Sequence, residues 1–427
     1  MRRSAGPGNG GMMSPSGLSG NGTDLITTRN GPQPADFTDV RATNLAVVLR
    51  FVREHAPCSR ADIAAATGLN KATVSSLVAD LIDRRLLRET GLTENRVGRP
   101  ATMLMLDGSP YAAIGIEVNA DHLAAVAVDL AGERLVSWRR SFAGATASPG
   151  QAIAGVAALA RRVITKMTKE ARQVLGLTVA VPGLVDTGGT VRLAPDLGWR
   201  DVDLGGDLTK ALRDPGFPVL VDNDANLAVL AEHRFGPYGR VADLVCLTGE
   251  LGVGAGVIID GRLRRGCHGY AGEVGHIEVD PGGAPCRCGR RGCLEAVAGP
   301  GAVLRRTAPE ADVAALEAEI EETAGLARAG DPAALDLLAE IGRHLGKGVA
   351  MLAAVLDPEV VVLGGHYVPL APWLLPAAEE ELRRRSLAPE AGGCRLVAST
   401  LGPGAAALGA AARVLDSVDS GRLPRQA

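Results

Sequence analysis

The sequence lacks the run of about 18 to 20 consecutive apolar residues that a membrane-spanning helix requires, although 46% of its 427 residues are hydrophobic. Its N-terminus also lacks the apolar core of a secretory signal peptide. Only seven cysteines occur, and nothing else in the sequence suggests an oxidising compartment in which they would pair as disulfides. These absences predict a cytoplasmic protein that has no membrane partner.

Net charge is also small, but the charge is distributed unevenly along the chain. The whole chain carries a formal charge of −3. Residues 41–100 contain ten Lys and Arg against six Asp and Glu, whereas the first forty residues contain three of each kind. The remainder, residues 101–427, therefore carries about −7. This asymmetry predicts that only the basic N-terminal module contacts a polyanion such as DNA.

The first 37 residues are rich in Gly, Ser, Pro and Asn and contain few large apolar side chains. Such a segment cannot bury enough apolar surface to offset the entropy that is lost on ordering, so we predict that residues 1–37 form a disordered tail. The length of the whole chain is typical of two to three domains.

Residues 38–107 carry the pattern of a winged helix-turn-helix. Ser59 is a good N-cap for a short helix that ends at Gly68, and Asn70 caps the helix that follows. Two helices joined by a glycine-containing turn are the frame of a helix-turn-helix. The second helix has apolar residues at helical spacing, which are predicted to be buried: Val74, Leu77, Val78, Leu81 and Ile82.

In this motif the start of the second helix enters the major groove of DNA. The positions expected to face DNA carry small donors or a cation: Asn70, Lys71, Thr73, Ser75 and Ser76. The next segment resembles a two-stranded ribbon with Arg96 and Arg99 at its tip, where an arginine could reach the minor groove or a phosphate. Two alternatives remain, namely a helical module that binds protein, and a solvated hairpin whose arginines are incidental.

The segment 275–295, GHIEVDPGGAPCRCGRRGCLE, places His276, Cys286, Cys288 and Cys293 within 18 residues. Zinc prefers four soft or borderline ligands in a tetrahedron, and three thiolates with one imidazole supply that set. Four protein ligands leave no open position, so the pattern predicts a structural zinc rather than a hydrolytic one. The alternative is three unrelated buried cysteines and a surface histidine.

From Tyr111 onward the pattern changes to short apolar or alternating runs separated by Gly and Asp, with helical patterns between them. We predict a three-stranded meander, a helix at about residues 150–169, and then another strand. A further buried strand is predicted to run into a helix at Asn223–Asn226. This alternation indicates an α/β fold with helices on the faces of mixed sheets, and two such halves would leave a ligand cleft between them.

The C-terminal 310 or so residues resemble the ROK family of repressors, open reading frames and sugar kinases, in the hexokinase–actin superfamily. The zinc segment with its Glu295 matches the family signature, and further matches are GYAGEVGH, DNDANLAVLAE, VPGLVD, LAPDLGW and VVLGG. Together with the N-terminal module, the chain is similar to ROK transcriptional repressors of the xylose and N-acetylglucosamine kind. The resemblance implies a winged helix-turn-helix at 38–107 and a two-lobed, hexokinase-like sugar-binding body at 108–427.

The resemblance also implies a sugar pocket formed by Asn223, Asp224, Glu273, His276 and Glu295. Carboxylates and an amide suit vicinal hydroxyls, and a buried polar site disfavours a sugar that leaves one of these groups unpaired. Asp196 stands where the family more often has Asn and could tune the choice of sugar. Arg192 and Arg200 lie near the same loop, so a sugar phosphate remains an alternative effector. Without the resemblance, Asn223–Asn226 could equally be a capped strand–helix turn.

Catalytic competence is a separate question. Asp224 corresponds to the general base of the ROK kinases, but the first phosphate loop of the kinases, Asp-x-Gly-Gly-Thr, is replaced here by Glu117–Asp121 without glycine. The second loop keeps three glycines, which are Gly252, Gly254 and Gly256. Glu250 and Leu251 precede them where the kinases usually have Gly and Thr, so we expect ATP and Mg²⁺ binding to be poor or lost.

These observations predict a sugar-responsive, DNA-binding repressor in which Asp224 is a vestigial base. We expect a homodimer or homotetramer that binds an inverted-repeat operator in double-stranded DNA, since two recognition helices related by a twofold axis require such a site. The first alternative is an active ATP-dependent sugar kinase that carries a DNA-binding module. The second is a scaffold that binds other proteins through a degenerate kinase body.

Overall fold

The computed structural model describes residues 37–92, 102–311, 313–391, 393–402, 404–421 and 423–424. The predicted tail up to residue 36 and the ribbon tip with Arg96 and Arg99 lie outside these residues. From Ala42 onward, the described residues form one compact unit. No helix in the described ranges is both long enough and apolar enough to cross a membrane.

The N-terminal module has the predicted helices and ribbon. Its elements are α1 (Phe37–His55), β1 (Cys58–Ser59), α2 (Arg60–Thr67), α3 (Lys71–Asp83), β2 (Leu87–Leu92) and β3 (Thr102–Leu106). The strands form an antiparallel sheet in the order β1-β3-β2. Strand β1 has only two residues, too few for an alternating pattern, and the sequence did not indicate it. Helix α1 begins at Phe37, the last residue of the predicted tail.

Local capping explains where α2 and α3 begin. The Ser59 hydroxyl accepts a hydrogen bond from the Asp62 N–H at 3.2 Å, and the Asp62 carboxylate accepts one from the Ser59 N–H at 2.9 Å, so the two residues form a capping box. Gly68 ends α2 with a φ of 74°. The Asn70 side chain caps α3 by accepting from the Thr73 N–H at 2.8 Å. Of the predicted buried stripe on α3, only Ile82 is partly exposed.

The first lobe of the body follows the predicted order. Its elements are β4 (Tyr111–Val118), β5 (His122–Val128), β6 (Arg134–Ser141), α4 (Pro149–Lys169), β7 (Gln173–Val181), β8 (Leu184–Val185), β9 (Val191–Ala194), β10 (Trp199–Val202), α5 (Leu204–Ala211), β11 (Val219–Asn223) and α6 (Asp224–Phe235). The main sheet has the order β11-β7-β4-β5-β6, with β4, β5 and β6 as the predicted meander. Strands β10, β9 and β8 form a small separate sheet.

The second lobe repeats this plan. Its elements are β12 (Leu244–Gly249), β13 (Val253–Ile259), β14 (Arg262–Leu263), α7 (Leu294–Ala298), α8 (Pro300–Thr307), α9 (Leu316–Arg328), α10 (Pro332–Leu356), β15 (Val360–Gly365), α11 (Ala371–Arg385), β16 (Arg395–Ala398) and α12 (Ala405–Asp419). Its sheet has the order β14-β13-β12-β15-β16. In both lobes an antiparallel meander of three strands is followed by two strands parallel to the first. The lobes therefore share one topology, as expected for the two-lobed α/β fold.

Helices α6 and α12 pack against each other between the two large sheets. Helix α12 follows the second lobe in the chain but packs mainly on β4, β5 and β7 of the first lobe, whereas α6 packs mainly on β12 and β13. The close approach depends on glycine. A Cβ atom on Gly409 in α12 would collide with the carbonyl oxygen of Leu227 in α6, and one on Gly256 in β13 would collide with the carbonyl oxygen of Ala225. These two glycines therefore set the position of α6, whose first residue is Asp224.

The winged helix-turn-helix and the body share an apolar core. Buried residues of α1, Leu45, Val48, Leu49 and Val52, belong to the same cluster as residues of α12. The buried α12 members are Ala407, Leu408, Ala411, Val414, Leu415 and Val418. The Tyr111 hydroxyl at the start of β4 also donates to the carbonyl oxygen of Arg84 at 2.7 Å. The winged helix-turn-helix thus packs directly on the body.

We expect Gly409→Ala and Gly325→Ala to change stability in opposite directions. The added methyl group at position 409 has no room against the α6 backbone, so the free energy of unfolding should fall by about 1–3 kcal/mol or more. Gly325 lies inside α9 with no atom near its missing Cβ, so alanine there should stabilise the protein by about 0.5–1 kcal/mol. Thermal and urea unfolding measure both. A Gly409→Ala protein as stable as the wild type would contradict the tight α6–α12 contact.

Candidate functional site

The four predicted metal ligands lie together. One ligand atom from each of His276, Cys286, Cys288 and Cys293 lies within 4.8 Å of all the others. The Cys288 and Cys293 sulfurs are 3.7 Å apart, and the Cys286 sulfur is 3.7 Å from Nδ1 of His276. A tetrahedron with metal–sulfur bonds of about 2.3 Å has edges of about 3.8 Å, whereas a disulfide requires about 2.05 Å. The arrangement fits a tetrahedral metal site and no disulfide bond.

The loop between Val279 and Leu294 carries the three cysteines. Most of its residues are exposed, but both of its ends are anchored in the core of the second lobe. Isolated bridges pair Glu278 with Cys293 and Pro285 with Arg291, and its apolar cluster consists of Cys286, Cys293 and Ala296. Gly292 has a φ of 65°, and a Cβ atom there would collide with the carbonyl oxygen of Asp280. The turn therefore requires glycine. Backbone hydrogen bonds also cross the loop, such as that from the Cys286 N–H to the Arg290 carbonyl oxygen at 2.8 Å, and the predicted ligands add contacts between side chains.

Asn223 and Asp224 lie at the junction of β11 and α6. The Asn223 side chain accepts from the Asn226 N–H at 3.0 Å and so caps α6. Its amide donates to the Gly183 carbonyl oxygen at 2.9 Å and to Oδ1 of Asp224 at 3.0 Å. The capped strand–helix turn therefore exists, and the same contacts orient the Asp224 carboxylate.

The acidic residues of the predicted pocket influence one another. The pKa of Asp224 is raised to about 7, mainly because its carboxylate is removed from water and also because the carboxylates of Glu117, Asp196 and Glu273 are near. Burial likewise raises the pKa of Glu273, with a smaller contribution from Glu295. The fold thus brings Glu273 into electrostatic range of both Asp224 and Glu295, which are distant from it in sequence.

Glu295 has a partner that the sequence did not indicate. The Arg287 guanidinium donates to both oxygens of Glu295, at 2.8 and 3.2 Å, and also to both carboxylate oxygens of Asp196. Glu295 additionally accepts from the Val253 N–H at 3.2 Å. The only sequence signal for Arg287 was its place between two metal-ligand cysteines, and its long side chain gave no indication of where it would point.

The glycines of the second phosphate loop are explained by packing. A Cβ atom on Gly252 would collide with the Glu295 carboxylate, and Gly254 lies against the Ala225 side chain. Gly256 makes room for the α6 backbone, as described above. Their spacing therefore follows from contacts with α6 and Glu295, and no bound phosphate is needed to account for it.

Carboxylates lie in the cleft at the positions that the resemblance to ROK kinases assigns to the phosphate loops. Glu117 at the end of β4 is buried, and its Oε2 atom has no hydrogen-bond partner among the described residues. Glu250 accepts from the Asn119 amide at 3.4 Å. Its pKa is raised well above the usual value by burial and by the carboxylates of Glu117 and Asp224. The C-terminal ends of β4 and β12, the first strands of the two large sheets, therefore lie close together here. Each end contributes a carboxylate, Glu117 from β4 and Glu250 from the residue after β12.

Arg192 and Arg200, the two arginines that would favour a sugar phosphate as the effector, differ in their surroundings. Arg192 donates to the Asp186 carboxylate at 2.7 Å and to the Asp201 carboxylate at 3.0 Å. Arg200 is exposed. The charge of Arg192 is therefore already balanced by two carboxylates.

The predicted DNA-facing residues of α3 are accessible. Asn70, Lys71, Ser75 and Ser76 are exposed, and Thr73 is half-buried. The Ser75 hydroxyl donates to the Lys71 carbonyl oxygen at 2.9 Å. One face of the second helix thus presents polar side chains to the surroundings, while the opposite face is packed in the core.

The comparisons with known proteins agree with this architecture. A model of the ROK family matches residues 113–417, and a model of the MarR family matches residues 46–95. The xylose repressor of Bacillus subtilis (strain 168) is 29% identical over 382 residues, which cover 90% of this chain and 97% of that repressor.

Two solved structures are similar. A ROK family transcriptional regulator, a homologue of the E. coli MLC protein, matches with a TM-score of 0.75 at 28% identity and covers 90% of this chain and 98% of its own. A ROK family glucokinase from Streptomyces griseus, in complex with glucose and AMPPNP, matches with a TM-score of 0.59 at 30% identity and covers 70% and 98%. The predicted fold class is confirmed, and since the family model matches well over half of its length, this chain belongs to the ROK family.

Proposed function

We propose that this protein is a sugar-responsive, DNA-binding transcriptional repressor of genes for carbohydrate uptake and catabolism. The observation that carries the proposal is the direct packing of a winged helix-turn-helix on a ROK body, in one compact unit. A DNA-binding module that shares a core with a ligand-binding body can respond to what that body binds. The similar xylose repressor and MLC-like regulator each match 90% of this chain, a share that exceeds the body alone.

The sugar site in this proposal consists of Asn223, Asp224, Glu273, His276 and Glu295. Their amide and carboxylate groups would accept and donate hydrogen bonds to vicinal hydroxyls, and polar groups that are partly buried would favour a sugar that pairs all of them. The glucokinase with 30% identity was solved with glucose bound, which supports a sugar as the ligand of the matching body here.

Zinc is the metal that the ligand cluster suits best. Three thiolates and one imidazole form a closed tetrahedral set, which is typical of structural zinc. His276 directs Nδ1 toward Cys286, so its Nε2 atom would remain available for a hydrogen bond to the sugar. The metal would supply rigidity to the segment that bears His276 and Glu295, and no reaction step.

The DNA-binding surface would comprise Asn70, Lys71, Thr73, Ser75 and Ser76 of α3, with Arg96 and Arg99 on the ribbon. A homodimer, or a homotetramer built from two dimers, would present two such helices to an inverted repeat. We place the boundary between this module and the body near residue 107. The protein would act in the cytoplasm, where DNA and a sugar entering metabolism are both accessible.

Helix α6 and two ion pairs near its C-terminal end connect the proposed sugar site to the DNA-binding module. Helix α6 begins at Asp224, and near its other end Arg234 donates to Asp419 of α12 at 2.6 Å. The same Asp419 carboxylate accepts from Arg53 of α1. Arg234 and Asp419 are each only 10% exposed, so this pairing is weakly screened by solvent. A displacement of α6 on sugar binding would therefore reach α1 through Asp419.

Kinase activity is the competing function that one observation favours. A carboxylate with a pKa of about 7 at position 224 suits a general base. The acidic groups of Glu117 and Glu250 at the phosphate end of the cleft oppose it, because they would repel a triphosphate. An assay for ADP release with glucose, N-acetylglucosamine, N-acetylmannosamine, fructose and xylose distinguishes the two functions.

We expect Cys288→Ser to release the metal and abolish the sugar response. Loss of one of four ligands should loosen the loop between Val279 and Leu294, because most of its residues are exposed and bury little apolar surface. Elemental analysis measures metal content, and an operator-binding assay with and without sugar measures the response. Cys267→Ser is the matched control, because Cys267 is an exposed cysteine outside the cluster. A normal sugar response in metal-free Cys288→Ser protein would contradict the role of the metal.

Asp224→Asn should weaken sugar binding by about 10- to 100-fold, because a hydrogen bond to a charged acceptor contributes about 1.5–3 kcal/mol. Operator binding without sugar should be unchanged, since α3 is not altered. Calorimetry and operator binding measure the two effects, and Asp207→Asn, an exposed change on α5, is the control. Loss of operator binding in sugar-free Asp224→Asn protein would show that the two tasks are not separated as proposed.

Asp419→Asn should uncouple the two sites. Both Arg53 and Arg234 lose their shared carboxylate, so the ratio of operator affinities with and without sugar should move toward one by at least about threefold, within the usual range of coupling energies. Asp416→Asn is the control, because Asp416 accepts from Arg234 at 3.1 Å and has no contact with Arg53. Equal ratios in wild type and Asp419→Asn would exclude this connection.

A further inference from the structure

Arg287 ties together two carboxylates from different parts of the body. Its Nε and Nη2 atoms donate to Glu295 at 2.8 and 3.2 Å, its Nη1 atom donates to Asp196, and Nη2 also reaches Asp196 at 3.3 Å. The Asp196 and Glu295 side chains are 12% and 11% exposed, and Arg287 is 39% exposed. A bidentate contact of this kind fixes the plane of a carboxylate as well as its position.

The contact joins the two lobes at the sugar site. Asp196 lies in the 3₁₀ turn Pro195–Leu197 between β9 and β10, Arg287 lies between two metal-ligand cysteines, and Glu295 lies in the first turn of α7. The missing Cβ atom of Gly252 provides room for it, because a methyl group there would collide with the Glu295 carboxylate and lie 2.7 Å from Nη2 of Arg287. The backbone of the neighbouring loop is therefore shaped around this contact.

The hydrogen-bonding capacity of the guanidinium is largely used. A guanidinium has five N–H donors, and each of its three nitrogens already donates to a carboxylate here. Two carboxylates face one cation, so this end of the site keeps a formal charge of −1, and Glu273 and Asp224 add more acidic groups. Arg192 is paired with Asp186 and Asp201 and offers little further attraction to an anion.

We propose that the effector is an uncharged sugar and that Asp196 and Arg287 determine this specificity. The inference rests on the proposed sugar site. Arg287 is a positioning residue that holds the Asp196 and Glu295 carboxylates as acceptors for sugar hydroxyls. A phosphate or carboxylate on the sugar would meet fixed negative charge and a guanidinium whose donors are already engaged. The site thereby rejects sugar phosphates and sugar acids.

Asn at position 196 would have a different effect. An amide is neutral, so Arg287 would then face one carboxylate instead of two, and the N–H groups released from Asp196 would be free for an anionic ligand. The presence of Asp at this position is therefore the feature that selects against anionic sugars.

Calorimetry on the full chain, with its metal content measured, tests this with matched pairs of sugars. The probes are glucose against glucose 6-phosphate, N-acetylglucosamine against its 6-phosphate, and xylose against xylonate. In whichever pair binds, the uncharged sugar should bind at least about tenfold more tightly than the charged one. The anionic group on the sugar and the carboxylates of the site are like charges, which repel strongly at about 4–5 Å in a partly buried site. A charged member that binds wild-type protein more tightly than its parent overturns the inference.

Two variants test the proposed roles of Asp196 and Arg287 in this specificity. Asp196→Asn should reduce the ratio of affinities for the uncharged and charged sugars by about tenfold, and Arg287→Gln should weaken the uncharged sugar while the metal stays bound. Arg291→Gln is the control, because Arg291 lies in the same segment and its side chain donates to the Gly282 carbonyl oxygen at 3.4 Å, with no ion pair to a carboxylate of the described residues. A ratio that stays at the wild-type value in Asp196→Asn refutes the role of this pair.

The result also separates this inference from the proposed function. If no sugar of either class binds, although metal content and operator binding are intact, the sugar site itself is wrong, and both proposals fail. If a sugar phosphate binds tightly and changes operator affinity, the repressor function stands and only the specificity inference fails.

Discussion

The loop between Val279 and Leu294 depends on the contact among the predicted metal ligands. Its two ends are anchored in the core of the second lobe, but most of its residues are exposed, and its apolar cluster contains Ala296 and two of the cysteines. The loop delivers Arg287 to the candidate sugar site, and its flanks deliver His276 and Glu295. Because the loop buries so little apolar surface, it has little free energy of its own to fix its side chains, and the geometry of the site follows from its backbone hydrogen bonds and from whatever holds the ligands together.

Helix α6 connects the parts of the molecule that must communicate in a regulator. Its first residue, Asp224, lies in the candidate sugar site, and Arg234 near its end pairs with Asp419 and, through it, with Arg53 of the DNA-binding module. Twelve residues of helix span about 18 Å. Because Gly409 and Gly256 let α12 and β13 contact the α6 backbone closely, the helix can be displaced only together with its neighbours.

The cleft combines a two-lobed fold, which is similar to that of the ROK glucokinase, with acidic side chains. The loops after β4 and β12 meet, as the phosphate loops of a ROK kinase would, but Glu117 and Glu250 line them with acid. Asp224 remains, with its pKa raised to about 7 by burial and neighbouring carboxylates. A site of this kind suits recognition of hydroxyl groups better than the handling of a triphosphate, which agrees with a body that senses sugar.

The sequence by itself determined the elements whose signals are local. Capping by Ser59 and Asn70, the apolar stripe of α3 and the spacing of the metal ligands each need only neighbouring residues, and each appears as predicted. The family motifs indicated the candidate pocket residues, because each motif is a short run of neighbouring residues. Only the tertiary structure decided that Arg287 reaches Asp196, that Gly252 makes room for Glu295, and that Asp419 joins α1 to α6. These contacts join residues tens to hundreds of positions apart, and no periodicity or spacing in a single sequence records which distant side chains the packing of helices and sheets will bring together.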